Sequence, residues 1–339
     1  YDLKTGLVAE VGSGDKVIAL RADIDALPIE EATGLPYRSQ NQGVMHACGH
    51  DGHTAMLLAA GQCLAQSIDF DGTVRLIFQP AEEGFLGAKR MVEDGLFQRF
   101  PCDAVFALHN WPGLPVGCFG FLPGAFMASA DTVTIRINGR GGHGAMPHET
   151  ADPVVAAASL VMALQTVVAR NLPPLDMGVV GIGSIHGGGS STVVPTCVEL
   201  AITVRALKEA TRRLLLQRIE ALAHAQAAAF GTTAEVTVDA NAYPVLYNHP
   251  EETDLARSVA LSWLGEDGVV PDMQPMTCSE DFSFMLKACP GSYLIMGNGQ
   301  GTEGGCPLHN PGYDFNDAAL PYGASYWVKL VSTYLKPAD

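Results

Sequence analysis

The sequence places side chains able to bind metal or move protons in five short clusters. Asp23 and Asp25 stand in RADID, and HACGHDGH holds Cys48, His50, Asp51 and His53. Glu82 and Glu83 follow in FQPAEEG, His109 in FALHNWP and His309 in CPLHNP. Cys48 and His50 offer a thiolate and an imidazole two residues apart, both good ligands for Zn²⁺ or another borderline transition metal. Glu82 and Glu83 are adjacent at the end of an extended segment, where successive side chains point opposite ways. One carboxylate can hold a cation while its neighbour faces a bound water, which is the geometry a general base needs. Each cluster alone has a bland explanation. A His at a strand end is usually only hydrogen-bonded, paired Glu residues usually form a solvated turn, and an Asp after a strand often caps a helix. Their joint occurrence at one edge is harder to explain that way.

An alternating pattern of strands and helices must position these clusters. Val17–Arg21 is a near-continuous apolar run of the kind a buried parallel strand shows. Thr73–Gln79, Ala104–Asn110 and SYLIMG are further strands, with helical patterns in TAMLLAAGQCLAQ and GAKRMVEDGLF between them. This alternation predicts right-handed crossovers and a mainly parallel sheet. Ligands of such sheets bind beyond the carboxyl ends of the strands, which is where the clusters fall. Composition shifts near Pro123. Asp131–Gly139 alternates in polarity, as a strand with one solvated face does. Asp152 and Pro153 open a long helix as cap and first residue. MGVVGIGSIHGG and VELAITVRAL read as strands, and EATRRLLLQRIEALAHAQAAAF as a second long helix ended by Gly231. The expected architecture is α/β: a discontinuous catalytic domain, 1–122 and 232–339, with a smaller α+β domain of βαββα order inserted at 123–231. AEVTV is read as the resumption of the larger domain. ETDLARSVALSWLG, SEDFSFMLKA and the stretch near 318–335 are expected to be helical.

Composition excludes several classes. A chain of 339 residues with 47% hydrophobic and 17% charged residues is globular and long enough for two domains. A net charge of -16 argues against a nucleic-acid partner. No apolar run reads as long enough to cross a membrane, and no signal peptide is visible, although the pattern opens abruptly at Tyr1. Eight cysteines without a C-x-x-C pair read, Cys48 excepted, as buried free thiols of a reducing, cytoplasmic compartment.

Taken together, MHACGHDGHTAMLL, QPAEEG, LHNWP, GRGGHGAMPHETADP, SEDF and LHNPGYDFND resemble the M20 metallopeptidase family. The similarity is to its amidohydrolase branch of hippurate hydrolases, aminoacylases and hydrolases of indole-acetyl amino-acid conjugates. It runs in order along essentially the whole chain, and it implies a helical segment before Tyr1. The resemblance implies a paired site for two divalent cations, Mn or Zn before Ni or Co, with ligands Cys48, His50, Glu83, His109 and His309. It implies that Glu82 is the general base and that Asp25 orients a ligand, a role for which Asp51 is equally plausible. It implies that His143, in the glycine-rich loop of the inserted domain, polarises the scissile carbonyl. Arg205 matches an arginine that binds a substrate carboxylate, with an interdomain salt bridge as the alternative. Thr192 stands where the family usually has Asn, with one donor in place of two. The implied fold pairs the catalytic domain with a ferredoxin-like lid that forms a homodimer. The implied reaction is hydrolysis of a small N-acyl amino acid to a carboxylic acid and a free amino acid. The rivals are a dipeptidase or aminopeptidase of the same family, thiol catalysis by Cys48, and a metal-binding or ligand-binding homologue that has lost catalysis.

Overall fold

A computed structural model describes residues 6–67 and 70–337. The chain forms two compact units: Tyr1–Phe126 with Leu246–Gln274 and Glu280–Asp339, and Met127–Val245 with Pro275–Ser279.

The first unit is built on a six-stranded sheet in the order Leu7–Ser13, Gly72–Gln79, Val17–Asp23, Ala104–Pro112, Gly291–Gly299, Phe119–Gly120. The four inner strands are parallel and the two edge strands antiparallel. Leu20, Leu76, Phe106 and Leu294 face one core with Met56 and Leu57 of helix His50–Ser67 and with Trp327 and Leu330 of helix Leu320–Tyr334. The intervening residues Ala19, Ile77, Val105, Ala107 and Ile295 are buried too. Both faces are therefore covered, which explains why these strands read as continuous apolar runs. The helix expected over GAKRMVEDGLF is two short ones, Gly87–Glu93 and Leu96–Arg99, broken at Gly95, whose φ is 89°.

The second unit is a four-stranded antiparallel sheet in the order Thr233–Val238, Ser129–Asn138, Cys197–Ala206, Gly178–Gly187. Helices Pro153–Asn171 and Glu209–Ala229 pack on one face. Val133, Ile135 and Ile137 meet Val198, Leu200, Ile202 and Val204 in its core, at the two-residue period a half-buried sheet requires. Counted within the unit the strands run 4-1-3-2 in βαββαβ succession, the ferredoxin-like arrangement. AEVTV therefore does not resume the larger unit. Thr233–Val238 pairs along Ser129–Asn138, and its unit runs to Val245 rather than ending near Gly231.

Asp152 caps its helix as expected, its Oδ1 accepting from the Val154 N–H at 2.8 Å. That helix, 19 residues long, corrects the membrane reading. By length and composition alone it is apolar enough to span a bilayer. Ala156, Leu160, Leu164 and Val167 face the unit's core, which accounts for much of that apolar character. The thiols also differ from expectation. None is in a disulfide, but only Cys48 and Cys289 are buried, while Cys63 and Cys278 are exposed.

Candidate active site

The carboxyl ends of the parallel strands in the first unit deliver the expected clusters to one place. Cys48, Gly49 and His50 lead into helix His50–Ser67, and the Cys48 Sγ lies 3.4 Å from His109 Nε2. Donor atoms of Cys48, His50 and Glu83 lie within 4.8 Å of one another. His309 Nε2 is 3.1 Å from Glu83 Oε1, and the His309 N–H donates to the Ala47 carbonyl at 2.8 Å. Cys48, His50, Glu83, His109 and His309 thus form one connected cluster, with Glu82 buried beside it.

Hydrogen bonds set the imidazoles' tautomers. His50 Nδ1 donates to Asp25 Oδ1 at 3.2 Å, and His109 Nδ1 to the Asn110 carbonyl at 2.7 Å. His109 is neutral and carries its lone pair on Nε2; His50 does so only once it gives up the proton that its carboxylate neighbours favour, as ligation to a cation would require. His50 Nε2 is buried with no hydrogen-bond partner, and Asp23 Oδ2 lies 3.7 Å away, so the nitrogen faces either its own proton's counter-charge or a bound cation. Asp25 also accepts from the Glu83 N–H at 2.9 Å, so it braces two cluster members, whereas Asp51 is exposed. His53 is fully engaged, with Nδ1 on Asp23 and Nε2 2.7 Å from Asn110 Oδ1.

The electrostatics have the same sense. Burial and the nearby Glu83, Glu82 and Asp23 hold the Cys48 thiol well above its ordinary value. Burial, with the charges of Glu280, Asp281 and Glu83, does the same to Glu82, and Arg21 only partly opposes it. Burial, aided by His53, pushes His109 well down, so it is a neutral ring suited to ligation. Burial alone would lower His50, but Asp23, Asp25 and Glu83 outweigh it and hold it up at about 9. An anionic, thiol-bearing pocket with an orphaned imidazole nitrogen fits divalent cations, whose charge would reverse the penalty on the thiolate.

Of the three non-glycine residues with a positive φ among the described residues, two stand here: Ala81 (61°), just before Glu82, and His309 (63°). Such strain is held in place by surrounding structure and collects at functional sites.

In the second unit, His143 is exposed on a short strand paired with Val193–Val194, its Nδ1 accepting from the Ala145 N–H at 3.0 Å. The next residue, Gly144, donates to the Thr192 carbonyl at 2.8 Å, so His143 and Thr192 are neighbours. Arg205 is elsewhere in this unit. Its Nη1 donates to Ser279 Oγ at 3.3 Å, with no acidic partner among the described residues. His148 and His224 are exposed.

A buried set around Arg21 is absent from the sequence reading. Arg21 Nη1 donates to Asp23, Nη2 to Glu280 and Asp281, and Nε to Gln79. The one signal available was a charged pair, Arg21 and Asp23, inside an otherwise apolar strand, together with the SEDF motif.

A parallel α/β unit that gathers a thiol, imidazoles and buried carboxylates beyond its strand ends defines the class of metallohydrolases. The chain belongs to peptidase family M20/M25/M40, which it matches over residues 19–333. It is 43% identical to the hippurate hydrolase of Campylobacter jejuni, across 98% of this chain and 86% of that protein. It is 42% identical to an N-acetyl-L-cysteine deacetylase of Bacillus subtilis (96% and 76% covered) and 38% identical to IAA-amino acid hydrolase ILR1-like 2 of Arabidopsis thaliana (98% and 76%). Among solved structures it is similar to the Bacillus subtilis YXEP protein, a dinuclear metal binding peptidase of the M20 family. That similarity has a TM-score of 0.83 at 34% identity, over 99% of this chain and 86% of that one.

Proposed function

We propose that this chain hydrolyses the amide bond of N-acyl amino acids. The observation that carries the reading is the buried carboxylate of Glu82 beside the joined cluster of Cys48, His50, Glu83, His109 and His309. Those five residues would hold two divalent cations, which supply Lewis-acid activation of water and of the scissile carbonyl. Mn²⁺ and Zn²⁺ suit the mixed N, O and S donor set, with Ni²⁺ and Co²⁺ next.

Glu82 accepts the proton of the attacking water and returns it to the departing amine, leaving a carboxylic acid and a free amino acid. Desolvation and neighbouring carboxylates hold Glu82 up, so it keeps a proton more readily once it has taken one. Asp25 fixes the His50 ring. His143 supplies a hydrogen bond to the developing oxyanion, with Arg205 and Thr192 on the substrate. Thiol catalysis is the weaker reading, because Cys48 is buried against His109 and gathered with His50 and Glu83 as a ligand set, and loss of activity on chelation with recovery on Mn²⁺ or Zn²⁺ would exclude it. The relatives named for hippurate, N-acetyl-L-cysteine and IAA-amino acid conjugates favour an acyl group over a free amine on the scissile carbonyl's side.

Glu82→Gln keeps the shape and removes the base. Turnover of hippurate, N-acetyl amino acids or indole-acetyl conjugates by the Mn²⁺-loaded or Zn²⁺-loaded protein is expected to fall by about three orders of magnitude or more, with bound metal unchanged. Near-normal turnover would remove Glu82 from the mechanism. Preference for unblocked dipeptides in the same panel would assign the peptidase reading instead.

The second unit is proposed as a homodimer contact. Gly178–Gly187 is an edge strand of its sheet, and Val154, Val155 and Met162 are exposed on the long helix. Mixing Glu82→Gln and His143→Ala subunits recovers activity if His143 acts across the dimer. Eight cysteines without a disulfide fit a cytoplasmic location.

A further inference from the structure

Arg21 lies in the strand Val17–Asp23 and is 1% exposed, among the most deeply buried large side chains of the first unit. Each part of its guanidinium is used. Nε donates to Gln79 Oε1 at 2.7 Å, Nη1 to Asp23 Oδ2 at 2.8 Å, and Nη2 to Glu280 Oε1 at 3.0 Å and Asp281 Oδ1 at 3.3 Å. Glu280 and Asp281 lie more than 250 residues away in sequence, just before the short helix Ser283–Ala288.

This second segment is clasped from several sides. The Asp281 carboxylate also accepts from Gln79 Nε2 at 2.8 and 3.0 Å and from the Ala88 N–H at 2.8 Å. The Glu280 carboxylate accepts from the Phe282 N–H at 2.9 Å. The clasp leaves the Asp281 backbone N–H facing the centre, where it donates to Glu82 Oε1 at 3.4 Å. Side-chain oxygens of Glu82, Glu280 and Asp281 lie within 4.8 Å of one another, so three buried carboxylates would repel without a cation among them. A buried ionic network is a poor source of stability, since apolar residues of equal volume commonly do as well. What it gives instead is direction: a planar fork fixes two carboxylates at set angles, which a Lys ammonium cannot do.

We propose that Arg21 is a positioning residue that holds the Glu280–Asp281 segment so that the Asp281 N–H fixes the Glu82 carboxylate. The inference rests on Glu82 being the base, as proposed above. Misplacing a reacting group by about 1 Å costs on the order of 100-fold in rate, which sets the scale.

The test is a double-mutant cycle on the Mn²⁺-loaded enzyme, with hippurate as probe substrate and single-turnover rates for the slow variants. Arg21→Lys keeps the buried positive charge and loses the fork. It is expected to lower kcat by ~10- to 100-fold, with KM changed less than about twofold and bound metal unchanged. In the Glu82→Gln background the same change is expected to cost nothing further, because the group it positions is gone. Diffuse structural damage would instead multiply the two losses, and that result overturns the proposal, as does an unchanged kcat in Arg21→Lys. If Arg21→Lys yields no folded protein, Asp281→Asn, which keeps an oxygen for Gln79 and loses the charge facing Arg21, enters the same cycle with the same two criteria. Failure of the reading beneath is separate: near-normal turnover of Glu82→Gln alone removes the base, whatever Arg21 does.

Discussion

Gly49 separates two of the proposed ligands and is the position where a single methyl group should do most harm. Its φ is +88°, and a Cβ there would lie 2.6 Å from both Asn110 Oδ1 and Tyr313 Oη. Neither neighbour is free to yield. Asn110 Nδ2 donates to Tyr313 Oη at 2.6 Å, and Asn110 Oδ1 is 2.7 Å from His53 Nε2. Gly49→Ala therefore adds about 1–2 kcal/mol for the left-handed backbone. It adds a further ~1–3 kcal/mol for displacing a buried hydrogen-bonded pair. The total, about 2–5 kcal/mol, corresponds to a fall of about 5–15 °C in the unfolding temperature of a unit this size. Gly43→Ala is the control. It has φ +71° in the same unit but nothing within 4 Å of its Cβ, so it carries the backbone cost alone. Calorimetry of the two variants after chelation isolates the contact cost, and metal content after reloading reports the displacement of Cys48 and His50. A Gly49→Ala unfolding temperature no lower than that of Gly43→Ala would refute the reasoning.

Other outcomes follow from charges and exposure. His50 is held up at about 9 against an ordinary 6.5, so its contribution is fully present below pH 6.5 and lost as pH rises through 9. Chelator-treated protein should then lose up to about 3 kcal/mol between those limits by urea unfolding, while apparent metal affinity rises over the same range; a flat stability profile would contradict it. Arg212 pairs through Nε and Nη2 with Asp131, which is 2% exposed, at 2.8 and 2.7 Å. Arg212→Ala leaves that carboxylate buried and unpaired, and should destabilise the second unit by about 2–4 kcal/mol in denaturant. A thiol reagent should label Cys63 and Cys278 well before Cys48 and Cys289, as peptide mass mapping over time would show.

The sequence exposed the centre more fully than the fold's joints. That Cys48, His50, Glu83, His109 and His309 come together was legible because few residue types suit a metal and each follows a recognisable strand or loop. The parallel sheet was legible because burial on both faces leaves an unbroken apolar run. AEVTV was misplaced because five residues carry no information about which sheet they join. Its pairing with Ser129–Asn138 is set by the chain's return after a 21-residue helix. Asp25 and Asp51 could not be separated by type or spacing; the direction of one side chain, toward His50 Nδ1, distinguishes them. Arg21 stayed invisible because a buried charge is identified by its partners, and two of these lie at the far end of the chain.

The pairing of Ala104–Pro112 with Gly291–Gly299 also bears on how the protein is made. In these parallel neighbours, one strand is complete before the second unit is synthesised and the other only after it. A flexible excursion of that length would raise the entropy cost of closing the sheet, while one that has already folded brings its two ends to fixed points. The ferredoxin-like unit, nearly all of it the continuous stretch Met127–Val245, is suited to form before the last parallel strand is made. Until the last third of the chain emerges, the incomplete sheet presents Ala104–Pro112 as an unpaired edge, with His109 on it and no His309 to complete the cluster. On the proposed ligand set the site is completed only when His309 emerges, and an early-terminated chain would expose that strand edge, an aggregation hazard.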